Sequence, residues 1–310
     1  MFLDPQPDLD NANVGTCQKQ TSLNSPRNHS NQIFKEVDMF KECLDSVREN
    51  SPLIHNITNY VTVNDVANVI LAVGASPIMA DEKKEAAEIT SICNGLNINI
   101  GTLNRNTISS MFSAGKKAQS LNHKILLDPV GAGASALRTK TALSLINKIK
   151  FDVIRGNISE IKTLATGSGK TKGVDANIED AVSESNLEAA VAFAKNFAEK
   201  QNCVVAITGA IDLVSDGKKC YVIRNGKPQM GRITGTGCQL SGIMTAFICA
   251  GKNVLESSAA AVCAMGLAGE IAWQKMQEGD GNSTYRNRII DALFNMTGTE
   301  LEAGAKYEIR

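Results

Sequence analysis

Within the stretch TGTGCQLSG, residues 234–242, Gly235 and Gly237 flank Thr236 and lead straight into an apolar, helix-periodic segment. A glycine-rich turn at a helix N-terminus aims unpaired N–H groups outward, and the helix dipole adds about half a positive charge there. Such a place suits a phosphate, or the charge that develops while a phosphoryl group is moving. It is not a Walker A loop, because no Gly-Lys-Ser/Thr follows. Cys238 is the first residue past the last turn glycine. The positive helix end is expected to lower its thiol pKa, which would let it accept a proton from a substrate hydroxyl. By residue type alone, plainer readings stand beside these: a tight turn that needs glycine, and a cysteine that only packs.

Other residues of the right chemistry stand at what read as strand ends. LLDPVGAGAS closes an apolar run on Asp128, a carboxylate of the kind that holds Mg²⁺ near phosphates or caps a turn. VIRGNISEI brings Arg155, able to fork onto a phosphate, and Glu160, able to help place the metal. Either could instead join a surface ion pair of little consequence. Thr208 ends VVAIT. Asn59 follows a short strand, where it could line a small-molecule pocket or cap the next helix. Met79 ends another strand, where a thioether could wall an aromatic ligand or simply fill core.

The elements that must position these residues alternate. The strands expected are PLIHNI, SPIMA, LNINIG, KILLDPV, FDVIRGN, CVVAITGA, IDLVSDG and KKCYVIRNG, the last two forming a hairpin around Asp216-Gly217. Helices are expected from near Phe34 through residue 50, over YVTVNDVANVILAVG, over DEKKEAAEITSIC, and over 105–121, 137–149 and ISEIKTLA. A long helix is expected over about 178–199, and beyond the hairpin everything reads as helix: 237–250, 254–276 and 286–296. Short β-branched runs separated by helices predict an α/β fold, a mostly parallel sheet with helices on both faces. Ligands in such folds sit beyond the carboxyl ends of the strands, where Asn59, Met79, Asp128, Arg155, Glu160, Thr208 and the glycine turn converge. Residues 1–32 are rich in Asn, Gln, Ser, Pro and Asp without apolar period, and read as a flexible extension; residues 33–310 show no break and read as one domain.

Composition narrows the function classes. Lys plus Arg number 32, as do Asp plus Glu, so nothing favours nucleic acid or an anionic membrane as partner. The eight cysteines are scattered with no CxxC pair, which argues against zinc and against a disulfide framework; reduced thiols in a cytoplasmic protein are expected. No secretory signal is visible, and no apolar stretch reads as approaching the ~20 residues a bilayer span needs. Small-molecule chemistry is left.

The segments HNITNYVTVNDVANVILAVGASPIMAD, LDPVGAGASALR, VIRGNISEI, VVAITGAIDLVSDG and ITGTGCQLSG together resemble the hydroxyethylthiazole kinases, thiamine-salvage enzymes of the ribokinase-like superfamily. The first and last are the specific ones, and the helical C-terminal remainder is a looser match. The resemblance implies a ribokinase-like sheet flanked by helices, a homotrimer with active sites at subunit interfaces, and ATP with Mg²⁺ phosphorylating the thiazole's primary hydroxyl. It implies that Met79 and Gly235 touch the thiazole with Asn59 nearby, that Arg155 and Thr208 bind ATP, and that Asp128 and Glu160 lie near the metal. Cys238 then stands where relatives in the wider superfamily carry an aspartate base. A kinase of the same fold acting on another alcohol such as hydroxymethylpyrimidine, an ATP-dependent hydrate dehydratase, and a non-catalytic nucleotide-binding protein are the rival readings.

Overall fold

The computed structural model describes residues 38–167 and 181–310. The extension read over 1–32, the start of the helix expected from Phe34, and the first residues of that expected at 178 lie outside them.

Strand by strand, alternate residues turn to opposite sides, as the two-residue period of a strand requires. In β4 (Lys124–Asp128), Ile125 and Leu127 enter one core while Leu126 enters the other. Likewise β6 (Val204–Thr208) sends Val205 and Ile207 one way, Val204 and Ala206 the other. Two cores therefore sandwich the sheet. One is closed by α1 (Met39–Asn50), α2 (Val63–Ala72), α8 (Thr236–Ala250), α9 (Val254–Gln274), α10 (Asn282–Asn295) and α11 (Gly298–Gly304). The other is closed by α3 (Ala86–Ile92), α4 (Arg105–Ser120), α5 (Ala136–Lys148), α6 (Ile158–Thr166) and α7 (Leu187–Gln201).

The remaining strands are β1 (Leu53–Ile57), β2 (Ser76–Met79), β3 (Gly95–Asn99), β5 (Val153–Asn157), β7 (Asp212–Ser215), β8 (Cys220–Ile223) and β9 (Tyr307–Ile309). Their order is β2-β1-β3-β4-β5-β6-β7-β8-β9. The pairs from β2 to β6 are parallel and those from β6 to β9 antiparallel, so the sheet is mostly parallel. Asn99 pairs in register with Asp128, and Asn157 with Thr208, which lines up the strand ends that carry the polar residues. The β7–β8 turn runs through Asp216, whose Oδ1 accepts from the amides of Lys218 and Lys219.

Three expectations need correcting. The helix expected over 178–199 begins at Leu187, because Asn186 Oδ1 accepts the Ser183 amide and folds 183–186 into a turn. The C-terminal third is not all helix: β9 closes the sheet edge against β8. And α9, 21 residues long, does reach the length and apolar composition of a membrane span. It is a core helix, most of it buried against the sheet and its neighbours, α8 and α10 among them.

Candidate functional site

α8 starts at Thr236 with Gly235 as its N-cap, at φ 79°, a left-handed conformation suited to glycine. No side chain caps this end, so the first-turn amides of Thr236, Gly237 and Cys238 are left for a ligand. Both glycines also permit close packing. A Cβ on Gly235 would fall 2.0 Å from Thr62 Cγ2, and one on Gly237 would fall 2.6 Å from Arg155 Nη1.

The guanidinium thus lies directly beneath the turn, and a buried network spreads from it. Arg155 Nη2 donates to Asp128 Oδ2 at 2.6 Å, Nε donates to Ser241 Oγ at 2.9 Å, and Nη1 donates to Thr208 Oγ1 at 3.3 Å. Ser241, one turn into α8, donates in turn to Asp128 Oδ2 at 2.9 Å. Asn99 Nδ2 donates to the same oxygen at 2.7 Å, and Asn99 Oδ1 accepts from Asn59 Nδ2 at 3.1 Å. The second proton of the Asn59 amide points at Cys238 Sγ, 3.3 Å away. Asn59 Oδ1 accepts from the Thr62 amide and hydroxyl, so all of its hydrogen-bonding capacity is engaged.

Burial decides the electrostatics. It would lower Arg155, but the Asp128 carboxylate, then Cys238 and Glu160, hold the guanidinium charged. For Cys238 the expectation of a lowered pKa is overturned. Burial first, and the nearby Asp128 charge second, push the thiol above its ordinary value of 9.0 against the pull of Arg155, Asn99 and Asn59. Sequence shows a helix end; it does not show the desolvation that outweighs it.

Glu160 has a different setting. It closes a capping box on α6: Asn157 Oδ1 accepts from the Glu160 amide, and Glu160 Oε2 accepts from the Asn157 amide at 2.9 Å. Its Oε1 accepts from the Gly131 amide at 2.8 Å, tying down the loop after Asp128. Burial and then Asp128 raise its pKa. Asp128 Oδ1 is buried with no hydrogen-bond partner, an open acceptor on a carboxylate whose charge Glu160 feels. That pairing fits Mg²⁺, which takes one or two carboxylates and fills its other positions with water and phosphate oxygens. Among the described residues no cluster of three or more His, Cys, Asp or Glu forms a fuller cage.

A cleft of about 510 Å³ opens in front of the turn, with Thr208, Thr236 and Gly237 on one side. The other side is formed by the loop after β8, including Gly226 and Met230, and by Val262 and Met265 of α9. Asp212 also lines the cleft, its carboxyl pushed up to about 7 by burial, with the Gly209 amide donating to Oδ1. The structure thus joins Asn59, Asp128, Arg155, Thr208 and Cys238 by direct hydrogen bonds, and brings Gly235 against Thr62 and Glu160 within reach of the Asp128 charge. Met79 is not part of that network. It ends the edge strand β2, paired in register with Asn56, and packs half-buried against the core that α2 helps close.

The model of the hydroxyethylthiazole kinase family matches residues 44–299. The chain belongs to the hydroxyethylthiazole kinase family. It is 59% identical over 271 residues to the hydroxyethylthiazole kinase of Clostridium acetobutylicum, covering 87% of this chain and 99% of that one. A solved hydroxyethylthiazole kinase protein from Pyrococcus horikoshii superposes with TM-score 0.78 at 35% identity, covering 87% of this chain and 98% of that one. A ribokinase-like superfamily protein from Enterococcus faecalis shares the fold, with TM-score 0.56 at 13% identity over 82% of this chain and 93% of that one.

Sequence reasoning missed several parts of this hydroxyethylthiazole kinase fold. Asn99 was reachable, since LNINIG ends on a strand as Asp128 does. Ser241 was reachable too, as a polar residue three positions after Cys238 and so on the same helix face. The far wall of the cleft gives no such signal, because Gly226, Met230 and Val262 carry no distinctive chemistry and Arg224, Asn225 and Lys227 stand in a loop without a motif around them.

Proposed function

We propose that the protein transfers the γ-phosphoryl group of ATP to the primary hydroxyl of 4-methyl-5-(2-hydroxyethyl)thiazole, giving the thiazole phosphate and ADP in thiamine biosynthesis and salvage. The observation that carries this reading is the uncapped N-terminus of α8 resting on the Arg155–Asp128 pair, with Cys238 at its first turn. The 59% identity to a named hydroxyethylthiazole kinase over nearly its whole length supports the choice of alcohol.

In the reaction the hydroxyl oxygen forms a bond to γ-phosphorus, the bond from phosphorus to the bridging oxygen breaks, and ADP leaves. The amides of Thr236, Gly237 and Cys238 stabilise the charge spread over the moving phosphoryl group. Arg155 adds positive charge from beneath, and Thr208 holds the guanidinium from the cleft side; both serve ATP. We assign Gly235 and Met79 to the thiazole half, where Asn59 sets the Cys238 sulfur in place. The hydroxyl proton passes to the Cys238 thiolate. Little proton removal is needed early in a loose transition state, so a sparsely ionised thiol suffices and positioning supplies most of the rate. Asp128 and Glu160 would hold Mg²⁺, which when bound neutralises charge on the triphosphate.

The working assembly is a cytoplasmic homotrimer of one catalytic domain, residues 33–310, with 1–32 appended. Exposed apolar side chains beside the alcohol half, Tyr60 at 79% and Val61 at 58%, support an active site completed by a neighbouring subunit. The test is ADP release with the thiazole alcohol, with hydroxymethylpyrimidine, and with neither. ADP is expected only with the thiazole and only with Mg²⁺ present; equal release with the pyrimidine would overturn the substrate assignment. Light scattering of the purified chain reports the trimer.

A further inference from the structure

We infer that Glu270 is a positioning residue for the nucleotide: with Lys306 it holds the far wall of the cleft, so the grip on ATP depends on groups that touch neither substrate. This rests on the reading above, in which that cleft takes ATP. The wall is the loop over 224–231, which leaves β8 and passes into a 3-10 turn, Pro228–Arg232; Gly226, Lys227 and Met230 of this loop line the cleft.

Glu270 lies on α9, a helix otherwise buried through Ala, Val, Met and Gly, and is itself only 7% exposed. A carboxylate in such a place is costly unless it is paired and hydrogen-bonded. All its partners come from two other segments. Its Oε1 accepts from the Gly226 amide at 2.9 Å and from Asn225 Nδ2 at 3.2 Å. Its Oε2 accepts from Lys306 Nζ at 2.5 Å. The chain just before β9 completes the clasp: the Lys306 amide donates to Asn225 Oδ1 at 2.8 Å, Asn225 Nδ2 donates to the Gly304 carbonyl at 2.9 Å, and the Arg224 amide donates to the Lys306 carbonyl at 2.9 Å.

Packing makes the same arrangement rigid. A Cβ on Gly266 would fall 2.6 Å from Asn225 Cβ, and one on Gly269 would fall 2.2 Å from Met230 Sδ, so the loop lies directly on α9 at two glycines within a turn or so of Glu270. Gly226 has φ 121°, so this bend suits glycine. The loop residue whose amide meets Glu270 is thus itself a wall of the cleft. A carboxylate whose only task was to tie down the C-terminus would need Lys306 and not Gly226.

The test uses the full chain with Mg²⁺, measuring ATP affinity by calorimetry and KM for each substrate. Glu270→Ala is expected to raise the Kd for ATP about tenfold while KM for the thiazole alcohol stays within about twofold. Glu270→Gln, which still accepts from the Gly226 amide, should recover most of that loss, and Lys306→Met should weaken ATP about threefold. Unchanged ATP affinity in Glu270→Ala, or equal weakening toward both substrates, overturns the role. If Glu270→Ala does not fold, Lys306→Met decides, and parental ATP affinity in it overturns the role. A parent chain that takes up no ATP would instead overturn the nucleotide reading, and the positioning role with it.

Discussion

Arg155 Nη2 sits 2.6 Å from Asp128 Oδ2, and both side chains are shut away from solvent. Asp128 carries its two neighbours Ser241 and Asn99 on that same oxygen, so the pair is the hub on which α8, β3, β4 and β5 meet. Breaking one side of it leaves a buried charge unpaired. Arg155→Ala or Asp128→Ala alone is expected to cost about 3–5 kcal/mol of stability in urea unfolding and to abolish turnover. The double variant should cost clearly less than the sum of the two.

Turnover should depend on the ionisation of Cys238. Its thiol is raised above 9.0 by burial and by Asp128, so the thiolate fraction grows as pH rises toward that value. The parent's kcat is therefore expected to climb across the alkaline range. Cys238→Asp, ionised throughout, should stay active with that climb removed. Cys238→Ser should lose about tenfold in kcat. Full turnover in the serine variant would take the sulfur out of the mechanism.

Gly235 tests the close approach of the turn to the β1–α2 loop. Gly235→Ala places a methyl 2.0 Å from Thr62 Cγ2 and forces a side chain into φ 79°. More than about tenfold loss of kcat/KM is expected, with part of it recovered by adding Thr62→Ser, which removes Cγ2. No recovery would mean that backbone strain alone accounts for the loss.

Asp212 gives a stability signature. Its folded pKa of about 7 lies above the ordinary 3.8 because burial favours the protonated carboxyl. The folded chain then binds more protons than the unfolded one between those values, so this group's contribution is full below 3.8 and lost as pH rises through 7. Asp212→Asn keeps an acceptor for the Gly209 amide without the charge. Its Tm should match the parent's near pH 4 and exceed it by about 3 °C at pH 8. A gap that is constant across pH would contradict the assignment.

Much of this was legible in the chain. Strands such as KILLD and VVAIT announce themselves through β-branched and leucine runs, and their carboxyl ends carried Asp128 and Thr208 as the parallel fold demands. The glycine turn before α8 was equally plain. What stayed hidden depends on distance or burial. The sign of the Cys238 shift follows from desolvation, which a helix start does not reveal. β9 stayed hidden because Tyr307–Ile309 is too short a run to show a strand period, and only its pairing with β8 makes it a strand. Glu270 looks like one acid in a helical run until Gly226 and Lys306 are brought to it.

The helix that opens at the glycine turn is sealed on every side from Cys238 through Ile248. Its first-turn groups therefore ride on the least yielding part of the molecule rather than on a hinged lid. In deuterium-labelling experiments the interior amides of that helix should be among the last to exchange, doing so only when the whole sheet comes apart. Heat should accordingly melt that helix and the sheet beneath it in a single step.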